Sequence, residues 1–261
     1  MNMLVLLKMV PDVVEELTLA PDGRSLDTSF LRMILSERDE HALEEALLLK
    51  ERYGGTVTVV ALDAPEIDDV LFTALAKGAD RAIKISGDGA GPSTHTVASL
   101  FAQLLPTIPG LLPADLILTG CQAIDDLDGM VAPLLAWWLK LPYLGLVTRV
   151  EVDMAGGRAL LLKEFPGGVR GEFEISLPAV LGIQAAERPP RYVPVAKVRA
   201  AMKSQRIEAV SAPTMANGGL APVQVLRMAK PEVVGHAEML EGPPEEIADK
   251  ICAILAERGL L

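Results

Sequence analysis

The 261-residue chain predicts an α/β fold, a parallel sheet with helices on both faces, extended by antiparallel strands and a C-terminal arm. Up to Lys140, short Val-, Ile- and Leu-rich runs alternate with amphipathic stretches of helical period. That order gives a parallel sheet, because the helical crossovers are right-handed. After Pro142 the helical stretches stop and four runs of strand character follow one another. Half of the residues are hydrophobic but only 4% are aromatic, so the core must be aliphatic.

Met3 to Leu7 reads as the first strand. Asp12 to Phe30 is polar and irregular, an excursion or hairpin with a turn at Pro21-Asp22-Gly23. Arg38 to Tyr53 is an amphipathic helix with acids at its start, ended by Gly54-Gly55. Thr56 to Leu62 is a Val- and Thr-rich strand. Pro65 opens a helix through Lys77, and Arg81 to Ile85 is a third strand. Gly87 to Pro92 is loop, and Ser93 is a candidate N-cap for a helix to Leu105. Leu116 to Leu118 is a buried strand; Gly120 allows a turn without a Cβ clash. A polar loop from Gln122 to Gly129 leads to an apolar, Trp-rich helix from Met130 to Leu139. Leu144 to Val152, Arg158 to Phe165, Val169 to Ile175 and Ala179 to Ile183 are strands, with a hairpin turn at Pro166-Gly167-Gly168. Arg188 to Tyr192 is extended, Val195 to Gln205 is a basic segment, Ser211 to Lys230 a linker, and Pro244 to Arg258 a short amphipathic helix.

Ligands of such sheets sit at the carboxyl ends of the strands. Four loops converge there: Lys8 to Pro11, Ser36 to Glu40, Leu62 to Pro65, and Gly120 to Gly129. In the last, strand, glycine, loop and helix follow one another. Free backbone N–H groups and the positive helix end at such a junction can hold a phosphate. An ordinary strand-to-helix connection has the same pattern, and neither a Walker lysine nor a G-x-G-x-x-G motif is present.

A net charge of −11 argues against nucleic acid and anionic membrane surfaces, but not against one phosphate-bearing ligand in a locally electropositive site. Cys121 and Cys252 form neither a disulfide framework nor a metal-ligand spacing. No apolar run reaches the roughly 20 residues of a membrane helix, and the apolar N-terminus reads as a strand rather than a signal peptide; a cytoplasmic protein without membrane insertion is expected.

His41, His95 and His236 read as surface or capping residues rather than metal ligands, so no metal site is assigned. With no G-x-S-x-G and no Ser/His/Asp constellation, no catalytic residue is assigned either. Cys121 reads as a small buried thiol, and one ring of Trp137-Trp138 as core. Asp125, Asp126 and Asp128 are candidate cation ligands, though acids in such a loop are more often solvated or N-capping.

Several motifs, in order, resemble the β subunit of electron transfer flavoproteins. They are Lys8-Met9-Val10-Pro11-Asp12, Ala42-Leu43-Glu44-Glu45-Ala46-Leu47, Ala74-Leu75-Ala76-Lys77-Gly78-Ala79-Asp80-Arg81, Gly120-Cys121-Gln122-Ala123-Ile124-Asp125, Leu177-Pro178-Ala179-Val180 and Pro190-Arg191-Tyr192. The resemblance implies a Rossmann-like, adenine-nucleotide-hydrolase-like domain over residues 1–187, with a partner-docking loop and C-terminal arm over 188–261. It implies a heterodimer with an α subunit, which holds most of a shared FAD. The β subunit would hold AMP or a second FAD, and electrons would pass from dehydrogenases to a downstream acceptor. Such a subunit is an electron carrier rather than a catalyst in its own right.

By the same resemblance, the nucleotide contacts fall at Leu6, at Ser36, Glu37, Arg38 and Asp39, and at Leu62. They continue through Gly120, Cys121, Gln122, Ala123, Ile124, Asp125 and Asp126 to Gly129, Met130 and Val131. Partner docking falls at Val195, Lys197 and Arg199. Ser36-Glu37-Arg38-Asp39 stands where the family usually has Asn-Pro-aromatic, and Val195 where it often has an anchoring Leu. Alternative readings are an adenine-nucleotide-binding enzyme or sensor on the same sheet, and a structural subunit whose nucleotide site has decayed.

Overall fold

The computed structural model describes residues 1–87, 93–126, 128–212, 225–231, 235, 237 and 239–261. His236, the loop at 88–92 and most of the expected linker lie outside the described residues. The chain forms two compact units, Met1–Leu226 and Arg227–Leu261.

In the first unit the strands are β1 (Asn2–Leu7), β2 (Met9–Pro11), β3 (Met33–Leu35), β4 (Thr56–Leu62), β5 (Arg81–Ser86) and β6 (Leu116–Gly120), followed by β7 (Tyr143–Asp153), β8 (Arg158–Phe165), β9 (Val169–Ser176), β10 (Ala179–Ile183) and β11 (Ile207–Ser211). The helices are α1 (Glu37–Tyr53), α2 (Ile67–Lys77), α3 (Thr94–Leu104), α4 (Val131–Leu139) and α5 (Val195–Ser204). Nine strands form one sheet in the order β11-β5-β4-β1-β6-β10-β7-β8-β9. Its neighbours are parallel from β11 to β7; β8 and β9 continue it antiparallel.

The alternation along β1 shows how the layers form. Met3, Val5 and Leu7 join one core with α1 and α2, while Leu4 and Leu6 join the other with α3 and α4. A strand covered on both faces needs no polar alternation, which is why the parallel strands read as unbroken apolar runs. From β1 the chain crosses through α1 to β4; from β6 it crosses through α4, on the opposite face, to β7. The topological switch point therefore lies between the carboxyl ends of β1 and β6.

Several expectations are corrected. The segment from Val195 is not a loop: Pro194 supplies the N-cap backbone and ten residues form α5, which packs on α2 and buries Ala201. Ile207–Ser211, which includes the first residue of the expected linker, is an edge strand paired with β5. The antiparallel ribbon of β2 and β3 was not expected, since three-residue strands are too short to show a period. The polar excursion does carry the expected hairpin, a small one with a bridge of Leu19 and Leu26 around the Asp22 turn. Ser93 precedes α3, but its side chain makes no capping hydrogen bond among the described residues. Neither tryptophan is core: Trp137 is 78% and Trp138 41% exposed.

In the second unit, Pro244–Glu257 forms helix α6. Among the described residues no helix is long and apolar enough to cross a membrane.

Candidate functional site

At the switch point the strand ends are tied by one carboxylate. Asp39, in the first turn of α1, is buried. Its Oδ2 accepts the Lys8 backbone N–H at 2.9 Å and its Oδ1 the Gly120 N–H at 2.6 Å. Burial drives this carboxyl up to about 7, against the two amide donors and the Lys8 charge, which pull it down. Gly120 has its place for a reason the sequence reading missed. It ends β6 without a left-handed φ, and a Cβ there would lie 2.6 Å from Arg38 Cβ and 2.8 Å from the Arg38 carbonyl carbon. The glycine admits the first turn of α1, rather than making a turn of its own.

The acids of the following loop are consumed internally. Lys8 Nζ lies 2.6 Å from both Asp125 and Asp126. Burial disfavours the Lys8 ammonium, but hydrogen bonds to the two carboxylates outweigh it and raise its pKa. The other oxygen of Asp126 accepts the Ala123 N–H at 3.2 Å. Asp128 accepts the Thr94 hydroxyl at 2.8 Å and the Met130 N–H at 3.3 Å, linking the starts of α3 and α4. The cation that Asp125 and Asp126 bind is thus a lysine. Among the described residues no three His, Cys, Asp or Glu side chains are placed to hold a metal ion.

Two adjacent clefts open here. The first, of about 320 Å³, has apolar walls from Leu6, Leu62, Val97, Phe101, Ala123 and Val131, and a polar side from Lys8, Asp39, Asp63, Thr94, Thr119, Gly120, Asp125 and Asp126. The second, of about 490 Å³, is lined by Val10, Pro11, Val13, Ile34, Ser36, Glu37, Arg38, Cys121, Gln122, Ile124, Leu146 and Gln184, and shares Ala123 and Asp126 with the first. The expected contact residues therefore divide. Leu6, Asp39, Leu62, Gly120, Asp125 and Val131 face the first; Ser36, Glu37, Arg38, Cys121, Gln122 and Ile124 face the second. Gly129 and Met130 line neither. Gly129 supplies a φ of +59°, and Met130 caps α4. Lys8, Val97 and Phe101 also line the first cleft, although the sequence reading did not include them among the contact residues. The spacing of Val97 and Phe101, four apart on a helix beside the loop, was the available signal.

Cys121 is half-buried, and its Sγ lies 2.9 Å from Gln184 Oε1. Burial pushes its thiol up, away from reactivity.

The segment after β10 is strapped along α1. Arg38 Nη1 donates to the Gln184 carbonyl at 2.7 Å, the Ala186 N–H to His41 Nδ1 at 3.1 Å, and the Glu187 N–H to Glu45 at 3.0 Å. Arg191 closes the strap. Its guanidinium meets the buried Glu44 at 2.8 Å and Glu51 at 2.6 Å, and its backbone N–H donates to Glu44 at 2.9 Å. These bonds, Glu44 first, hold the guanidinium pKa above its ordinary value. Burial pushes the Glu45 carboxyl up to about 7.

Val195, Lys197 and Arg199 are all exposed, but helical geometry separates them. At about 100° per residue, Val195, Arg199 and the half-exposed Met202 form one stripe, and Lys197 lies roughly 160° from Val195.

The sequence is similar to that of known proteins. An electron transfer flavoprotein domain matches residues 26–215. The chain is 31% identical to electron transfer flavoprotein subunit beta of Methylophilus methylotrophus, over 98% of both chains. It is likewise 31% identical to the subunit of that name from Clostridium acetobutylicum, over 98% of both. The subunit from Bacillus subtilis is 29% identical, over 98% of this chain and 97% of its own. With a matching domain across most of its length and relatives of one name along nearly all of it, the chain belongs to the electron transfer flavoprotein β-subunit family.

Proposed function

We propose that the first cleft holds the adenine nucleotide of an electron transfer flavoprotein, as AMP, and that the second forms one wall of the flavin pocket completed by an α partner. The carrying observation is the pairing of an apolar slot with a polar rim at the switch point. A volume of about 320 Å³ is at the lower end of small-molecule pockets, which suits a mononucleotide better than a whole dinucleotide. The apolar walls suit a base, and the start of α4 beside Val131 suits a phosphate. Asp125 and Asp126 are paired with Lys8, and Asp128 with Thr94, which argues against a decayed site. A second FAD is the other reading, favoured by the rim that the two clefts share at Ala123 and Asp126. Denaturing the purified αβ complex and separating its nucleotides tests both. One FAD with one AMP is expected; two FAD would replace AMP by the second reading, and FAD alone would refute nucleotide binding in this subunit.

The exposed stripe of α5 is the proposed docking element for a dehydrogenase. An apolar tip flanked by Arg199 and Lys203 suits an acid-rimmed apolar pocket. Val195→Asp is expected to slow reduction of the complex by its dehydrogenase at least tenfold in stopped-flow, a loss of about 1.4 kcal/mol, with nucleotide content unchanged. Lys197→Ala, off the stripe, should have a smaller effect. Equal rates for Val195→Asp and the parent chain would remove the stripe from docking.

A further inference from the structure

Asp39 is a buried carboxyl group at the floor of the first cleft, with two neutral amides as its hydrogen-bond donors. The charged groups around it are spoken for. The Lys8 ammonium is bound to Asp125 and Asp126, and the Arg38 guanidinium to the Gln184 carbonyl. Asp126 faces Asp39 with a like charge, and the protonated Cys121 thiol faces it from just beyond the end of β6. Among the described residues, Asp39 makes no ion pair of its own. A buried carboxylate in that position ionises with difficulty, because the two amides and the nearby Lys8 charge only partly repay its desolvation.

We propose that Asp39 is a proton-linked positioning residue: when a phosphate-bearing ligand binds in the first cleft, the Asp39 carboxylate takes up a proton from solvent. The proposal rests on the nucleotide reading above and adds a coupled equilibrium to it. A phosphate brings about 1.5 to 2 negative charges to a poorly screened site. Asp39 titrates near neutrality, so a modest added repulsion changes its occupancy at physiological pH. The protonated acid keeps an acceptor oxygen and gains an O–H donor in place of a repelling charge. One of the two amide bonds, to Lys8 or to Gly120, is then weakened, so cleft occupancy and the spacing of the β1 and β6 ends are linked.

The experiment is calorimetric titration of AMP into the αβ complex freed of nucleotide, in two buffers of different ionisation enthalpy, from pH 6 to 8.5. An uptake of about half a proton per AMP is expected near pH 7.5, as for a group near 7 raised by about one unit. The phosphate's own linkage lies near pH 6 and dies away above it. Adenosine, which brings no charge, should bind without uptake. Asp39→Asn, which removes the titrating group and one of the two acceptor oxygens, should bind AMP more weakly, and the AMP it binds should bring no uptake above pH 7. If that variant does not fold, the pH profile of the parent complex decides: a maximum above pH 7 supports Asp39, and a profile centred near 6 overturns it. AMP binding without uptake at pH 7.5, or the same uptake in Asp39→Asn, overturns the proposal and leaves the nucleotide reading standing. No AMP binding by the parent complex overturns both.

Discussion

Gly120→Val is expected to empty the nucleotide cleft and to destabilise the fold. The added Cβ meets Arg38 Cβ at 2.6 Å, Asp39 Oδ1 at 2.7 Å and the Arg38 carbonyl carbon at 2.8 Å. Two of these atoms cannot move without shifting the first turn of α1, and the third is the oxygen that accepts the Gly120 N–H. Overpacking of this kind costs about 1–3 kcal/mol, and the broken tie between the strand ends adds to it. Nucleotide content of the purified complex should fall roughly tenfold or more, the equivalent of about 1.4 kcal/mol of lost affinity. Gly129→Ala is the contrasting variant. It strains a φ of +59°, but its Cβ meets the movable Gln122 side chain at 3.2 Å, so a cost of about 1 kcal/mol with nucleotide retained is expected. Full nucleotide content in a folded Gly120→Val complex would show that the approach of α1 to β6 does not shape the site.

Arg191→Ala is expected to have the largest effect on stability. It removes the guanidinium from Glu44, whose side chain is 4% exposed, and leaves that carboxylate with the residue-191 backbone N–H as its remaining hydrogen-bond donor among the described residues. Breaking one side of a buried ion pair costs about 3–5 kcal/mol, because the stranded charge keeps its desolvation penalty. Chemical denaturation should show a lower midpoint with an unchanged slope. Arg191→Ala combined with Glu44→Leu should recover much of the loss, since no buried charge is then left unpaired. A double variant as unstable as Arg191→Ala would mean that the strap, rather than the stranded charge, sets the cost. The strap ends at Arg191, four positions before α5 begins, so the same substitution should also loosen the proposed docking helix.

The parallel sheet was legible because its signal is local and repeated. Strands such as Met3 to Leu7 are apolar on both faces, and α1 carries a helical period over 17 residues. The convergence of the four loops followed from topology alone, since parallel strands bring all their carboxyl ends to one edge. Motifs at matching positions then narrowed the sheet to one family.

The remaining features depend on partners distant in sequence. Glu44 and Glu45 look like surface acids of an amphipathic helix, yet they are buried because residues 187 and 191, more than a hundred positions later, supply their donors. Val195 to Ser204 has too weak an apolar face to announce a helix after a proline-rich stretch; α2 offers the surface that makes it one. Lys8 stands more than a hundred residues from Asp125 and Asp126, and the three become a closed cluster only when β1 and β6 lie side by side. The sequence alone determined the sheet, its layers and the edge where a ligand must sit, because hydrophobic periodicity is read within a few residues. Tertiary structure alone decided that this edge holds two clefts, that Gly120 yields space to α1, and that Asp39 is buried, because each depends on which residues distant in the chain come to share a low-dielectric interior.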